Sequence, residues 1–139
     1  MTTIGTLLAW VALLVGVAAA AAALYGRYWT LPAFMTGPAI CRLEANGCQV
    51  LFRTRLAALL GVPNSLLGLM LYGFVALGLA AGWPNGLLLA AATAALAMSV
   101  YLAYRLVRDR LECRICWTGH AANLLLWLGL VAQTVESVR

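Results

Sequence analysis

The fold is decided by a long uncharged run, SLLGLMLYGFVALGLAAGWPNGLLLAAATAALAMSVYLAY, at residues 65–104. A bilayer core about 30 Å thick is crossed by roughly 20 apolar residues of α-helix, so the run is too long for one crossing. Its centre holds the turn signal GWPNG at residues 82–86, where glycine and proline interrupt a helix. The run therefore predicts two membrane-spanning helices, at residues 65–81 and 87–104.

Two further uncharged stretches flank this run and are each long enough to cross a membrane. They lie at residues 4–26 and 115–135. We therefore predict an all-α membrane protein, a bundle of four transmembrane helices that forms a single membrane domain over residues 1–139.

The composition supports a membrane protein and argues against other classes. Hydrophobic residues make up 65% of the 139-residue chain and charged residues 9%, against roughly 45–50% and 25% in soluble domains. A soluble domain of this size could not bury so much apolar surface. The net charge of +5 comes from a scarcity of acids without any run of basic residues, so nucleic-acid binding is not expected.

The connection between the first two spans, residues 27–63, is the only long loop. We expect it to contain a short surface helix at residues 48–61, ended by Gly61 and Pro63. We expect Asn64 or Ser65 to be the N-cap of the second span.

Four cysteines lie on one side of the membrane if the four spans alternate in direction. Cys41 and Cys48 are in the long loop, and Cys113 and Cys116 form a C-x-x-C motif at the start of the fourth span. Such a motif can form a disulfide with little strain, and a helix N-terminus stabilises a thiolate. One pair lies in a loop and the other at the membrane boundary, an arrangement that favours passing electrons from a water-side donor to a lipid-soluble acceptor by thiol–disulfide exchange.

Two other interpretations of the cysteines remain open. The four thiolates could bind zinc or a soft metal ion, which would make the protein a thiol-based membrane carrier or sensor of soft metals. Alternatively, the two pairs could be structural disulfides.

The cysteine motifs and their neighbours resemble the vitamin K epoxide reductase family and its prokaryotic members. The resemblance covers about residues 41–127, in the family's order, and rests on these segments: Cys41 and Cys48, GVPNSLLGL at 61–69, SVYLAY at 99–104, CRIC at 113–116 and AAN at 121–123.

The resemblance implies a quinone-dependent thiol oxidoreductase that generates disulfides, built as a four-helix bundle around the quinone with the loop at residues 27–63 as its cap. It implies that Cys41 exchanges with a separate thioredoxin-fold protein and that Cys48 passes the disulfide to or from Cys113. Cys116 would deliver electrons to a membrane quinone, either menaquinone or ubiquinone. Asn64 matches the family asparagine that hydrogen-bonds one quinone oxygen.

His120 stands where the vertebrate enzyme has a tyrosine at the other quinone oxygen. It is the only histidine, lies inside an apolar span and follows Cys116 by four residues, which places both on one helix face. An ionisable group inside a span indicates function, and imidazole can donate a hydrogen bond or a proton to a quinone. The alternative is a neutral histidine packed in the bundle and bonded to a carbonyl.

Two features depart from what the family leads us to expect. A loop serine common in the family is replaced by Thr54, which keeps the hydroxyl. Eight of the nine arginines lie on the cysteine side, which by the positive-inside rule places the cysteines in the cytoplasm. The family usually has them outside the cell membrane, and we expect the cytoplasmic orientation.

Overall fold

The computed structural model describes residues 3–32, 51–111 and 113–139 and contains four long α-helices. Each is long and apolar enough to cross a membrane, which confirms the predicted four-helix membrane bundle. The helices are α1 (Ile4–Tyr28), α2 (Asn64–Ala81), α3 (Asn85–Arg108) and α4 (Arg114–Val138).

The helix ends follow from local chemistry. The side chain of Thr3 caps α1 by accepting a hydrogen bond from the backbone N–H of Thr6 at 3.3 Å. The α2 helix ends at Ala81 and is capped by Gly82, which has a left-handed backbone with φ of 69° that glycine adopts without steric cost. Pro84 then precedes α3, so the predicted turn between the two central spans is confirmed.

The helices pack in the order α1, α2, α3, α4 around the bundle, with α1 and α4 as the most closely packed pair. Small residues permit this approach, because a Cβ atom on Gly129 would lie 2.9 Å from both the carbonyl oxygen of Gly5 and the backbone nitrogen of Ala9. This contact joins the start of α1 to the end of α4, so the two helices are antiparallel.

The opposite end of the bundle carries the C-x-x-C motif, and we call it the cysteine end. It is formed by the end of α1, the start of α2, the end of α3 and the start of α4. Large aromatic side chains are exposed at this end, where the membrane–water interface favours them. They are Tyr25, Tyr28, Trp29, Tyr101, Tyr104 and Trp117.

The long loop differs from the prediction. Residues 51–52 are helical, but the chain is extended at Thr54 and continues as a 3₁₀ helix at Arg55–Ala58. The Thr54 hydroxyl donates to the carbonyl of Leu51 at 2.7 Å, and this local bond competes with helix continuation. A single helix over residues 48–61 is therefore wrong for the part that is described, although Gly61 does mark a turn with φ of 78°. Residues 33–50, and with them Cys41 and Cys48, lie outside the described residues.

Candidate functional site

A cavity of about 320 Å³ lies inside the cysteine end of the bundle, and we call it the bundle cavity. All four helices contribute to its wall. The lining is mostly alanine, glycine and leucine, because small side chains on α1 and α3 leave the space open. These small residues are Gly16, Ala19, Ala20 and Ala23 on α1 and Ala91, Ala94 and Ala95 on α3.

The segment after the undescribed part of the loop closes the cavity at the cysteine end. Leu51, Phe52 and Leu56 line the cavity. The first two also join a buried apolar cluster with Cys113 and Leu106, which anchors the segment between α3 and α4. The described part of the loop therefore packs over the cysteine end of the bundle, and we call it the cap.

A pair of hydrogen bonds fastens this cap to α1. Arg27 donates from Nη1 to the carbonyl of Phe52 at 2.7 Å, and Arg53 donates from Nε to the carbonyl of Arg27 at 3.2 Å. Gly26 makes the close approach possible, since a Cβ atom there would meet the Phe52 ring at 2.9 Å.

Cys113 occupies the N-cap position of α4, immediately before its first turn. Its side chain is fully buried, and its Sγ atom accepts a hydrogen bond from the backbone N–H of Cys116 at 3.3 Å. The hydrogen bond from the Cys116 side chain, opposed by burial and assisted by the backbone N–H groups of Cys116 and Ile115, lowers the pKa of the Cys113 thiol. Cys113 is therefore the sulfur of the motif that is favoured as a thiolate, by the Cys116 side chain first and by the N–H groups of the helix N-terminus second.

Cys116 packs against the same cluster as Cys113 but is less buried. It lines the bundle cavity, whereas Cys113 does not, and both are free thiols in this structure. The motif thus has one sulfur in the cluster under the cap and the other on the wall of the cavity.

His120 lies one helical turn beyond Cys116 and also lines the cavity. Its ring meets that of Trp117 edge to face, with centroids 6.1 Å apart. Among the described residues its imidazole ring has no hydrogen-bond partner, so the alternative of a histidine ring bonded to a carbonyl finds no support in the described part of the chain.

Asn64 lines the same cavity from the start of α2. Its amide nitrogen donates to the carbonyl of Leu56 at 2.8 Å, and its amide oxygen accepts from the backbone N–H of Leu59 at 3.3 Å. The predicted N-cap at Asn64 or Ser65 is wrong, because Pro63 holds that position without a side-chain hydrogen bond. Asn64 instead ties the 3₁₀ helix to α2, and one amide N–H is left for a ligand.

A network of polar side chains, which was not predicted from the sequence, forms part of the cavity wall. The Tyr72 hydroxyl donates to the amide oxygen of Asn123 at 2.6 Å, and the amide nitrogen of Asn123 donates to the Ser99 hydroxyl at 2.6 Å. All three residues line the cavity and join α2, α4 and α3. The available signal was the presence of polar side chains inside apolar spans.

Other predicted features are placed as follows. Thr54 is exposed and does not line the cavity. Within residues 3–32, 51–111 and 113–139, no group of three or more His, Cys, Asp or Glu side chains forms a possible metal site. The soft-metal interpretation would need the loop cysteines, which lie outside this part.

Comparison with known proteins gives one family. The model of the Vitamin K epoxide reductase family matches residues 7–130, a range that includes all four helices in whole or in large part. No curated protein and no solved structure matches the chain.

Proposed function

Because the chain belongs to the vitamin K epoxide reductase family, a family of quinone-linked thiol oxidoreductases, we propose that it oxidises the dithiol of a separate thioredoxin-fold protein and reduces a membrane quinone. Net electron flow runs from the partner through Cys41 and Cys48 to Cys113 and Cys116, and from there to the quinone. The protein would thereby generate disulfides.

The observation that carries this proposal is the shared position of Cys116 and His120 on the wall of the bundle cavity. A volume of about 320 Å³ lies at the lower end of the range of ligand pockets, and the lining is apolar with a few polar groups. A flat, lipid-soluble ring such as a quinone suits a cavity of this size and lining. Its edge would lie beside the sulfur of Cys116.

The exchange steps balance as two-electron transfers. The partner dithiol reduces the Cys41–Cys48 disulfide and becomes a disulfide, and the loop dithiol then reduces the Cys113–Cys116 disulfide. Finally the Cys113–Cys116 dithiol gives two electrons and two protons to the quinone, which becomes a quinol while the disulfide reforms.

The two sulfurs of the C-x-x-C motif have separate roles in this sequence. Cys113 is the sulfur that exchanges with Cys48, because it lies in the cluster under the cap that the loop forms. Cys116 is the sulfur that meets the quinone. Asn64 and His120 donate hydrogen bonds to the two ring oxygens as negative charge develops there.

Anaerobic mixing of the reduced protein with ubiquinone and menaquinone analogues tests the proposal by following quinol absorbance. We expect two equivalents of quinol per fully reduced protein, one from the Cys113–Cys116 dithiol and one from the Cys41–Cys48 dithiol that reduces the new disulfide. A Cys116→Ser variant should keep the loop disulfide and lose quinol formation, and undiminished quinol production by this variant would refute the assignment.

The orientation of the cysteine end is part of the proposal. The arginine bias supports a cytoplasmic location. A membrane-impermeant thiol reagent applied to intact cells should leave Cys41 unlabelled until the cells are lysed. Labelling without lysis would place the cysteines outside.

A further inference from the structure

Arg27 places a positive charge on the wall of a mostly apolar cavity. It lies in the last turn of α1, is only partly exposed and lines the bundle cavity close to the cap. Its nearest lining neighbour along the same helix is Ala23. A charge beside apolar surface is costly unless an opposite charge or strong hydrogen-bond acceptors compensate it.

Among the described residues the Arg27 guanidinium is held by a backbone carbonyl and by no acidic side chain. One of its five N–H donors is used by the carbonyl of Phe52 at 2.7 Å. The carbonyl of Arg27 is in turn held by Arg53, so the residue is fixed at both its side chain and its backbone. The ion pair of the described residues is Arg105 with Asp109, and it does not involve Arg27.

From this geometry we propose that Arg27 makes the bundle cavity selective for ring ligands that carry an ionised oxygen, such as the anion of a hydroxyquinone. The proposal rests on the proposed function, since it concerns the same cavity. A fixed guanidinium in a site of low dielectric binds an oxyanion through a charge-assisted hydrogen bond, which is about twice as strong as a neutral one. The same contact stabilises the negative charge that a quinone oxygen gains as it is reduced.

The test compares two ligands that differ in charge and little in shape. The enolic hydroxyl of 2-hydroxy-1,4-naphthoquinone is ionised at neutral pH, while 2-methoxy-1,4-naphthoquinone is neutral. Binding of each to the full-length protein in nanodiscs is measured by calorimetry against empty nanodiscs. We expect the hydroxy compound to bind at least about tenfold more tightly, a factor that corresponds to about 1.4 kcal/mol.

Substitutions assign the preference to Arg27. Arg27→Gln should abolish the difference between the two ligands, whereas Arg27→Lys should keep part of it. Arg55→Gln removes the same unit of charge from an exposed side chain that neither lines the cavity nor holds Arg27, so the preference should be unchanged.

The outcomes separate this proposal from the proposed function. Equal binding of both ligands to the wild-type protein, or a preference that survives in Arg27→Gln, overturns the role of Arg27 and leaves quinone binding intact. Binding of neither ligand overturns the quinone site and this proposal together. The ratio of the two affinities is measured on the wild-type protein, so it tests the proposal even if Arg27→Gln fails to fold.

Discussion

The Sγ atom of Cys113 accepts a hydrogen bond from the backbone N–H of Cys116 at 3.3 Å, while Cys116 itself lies on the wall of the bundle cavity. One turn of helix therefore separates a sulfur that is favoured as a thiolate from a sulfur that can reach a ligand. A relay needs this division, because one sulfur must exchange with another cysteine and the other must meet the electron acceptor.

The first prediction concerns the ionisation of Cys113. Since the hydrogen bond from the Cys116 side chain is the largest influence that lowers the Cys113 pKa, Cys116→Ala should raise it. Cys116→Ser keeps a donor and should raise it less. At a fixed pH below the ordinary thiol pKa, the thiolate fraction should therefore be larger in the serine variant.

The ultraviolet absorbance of the thiolate during a pH titration measures this, with Cys41 and Cys48 replaced by serine so that Cys113 is the only remaining cysteine. Identical midpoints for the serine and alanine variants would show that the Cys116 side chain does not control the ionisation.

The second prediction fills the cavity without disturbing the bundle. A Cβ atom on Gly119 meets nothing closer than the Ala19 Cβ atom at 3.9 Å, and Gly119 lines the cavity. Gly119→Leu should therefore leave the apparent melting temperature nearly unchanged and weaken quinone binding about tenfold or more.

Gly73→Leu is the matched control, because Gly73 is exposed and a Cβ atom there meets nothing within 4 Å. It should alter neither property. Equal quinone affinity for the two leucine variants would mean that the ring binds elsewhere.

The third prediction concerns the network that joins α2, α3 and α4. Tyr72→Phe removes the donor to the Asn123 amide oxygen and keeps the ring, so it should lower the free energy of unfolding by about 1 kcal/mol. Tyr104→Phe removes a hydroxyl from an exposed ring and should cost less. Unfolding in mixed micelles monitored by circular dichroism provides the comparison, and equal losses would mean that the buried hydrogen bond contributes nothing net.

The sequence was sufficient for the number of helices because a bilayer requires each span to be apolar from end to end. Arg55 and Arg105 bound one long apolar run, and the GWPNG turn at residues 82–86 divides it. The C-x-x-C motif was also placed correctly at the start of α4, since the last uncharged stretch begins with it.

The details of the site depended on contacts between distant parts of the chain, which no local pattern encodes. Asparagine is a common helix-capping residue, which is why a cap was predicted at Asn64. Only the position of the 3₁₀ helix shows that the Asn64 side-chain amide bonds to the backbone of Leu56 and Leu59. The partners Tyr72 and Asn123 are 51 residues apart in sequence. In the sequence Arg27 is only the first charged residue of the long loop. The position of Phe52 shows that the Arg27 guanidinium is fixed at the cavity.

The last prediction separates stability of the bundle from chemistry of the site. A Cβ atom on Gly129 would lie 2.9 Å from backbone atoms of Gly5 and Ala9, and backbone cannot move aside as a flexible side chain can. Gly129→Ala should therefore push α1 and α4 apart and destabilise the fold by about 1–3 kcal/mol, despite the better helix propensity of alanine. Gly73→Ala gains the same propensity in open space and should be neutral or slightly stabilising. Because Gly129 lies at the end of the bundle opposite the cysteines, quinol formation per folded molecule should not change. A normal melting temperature for Gly129→Ala, measured beside Gly73→Ala, would contradict the close packing of α1 on α4.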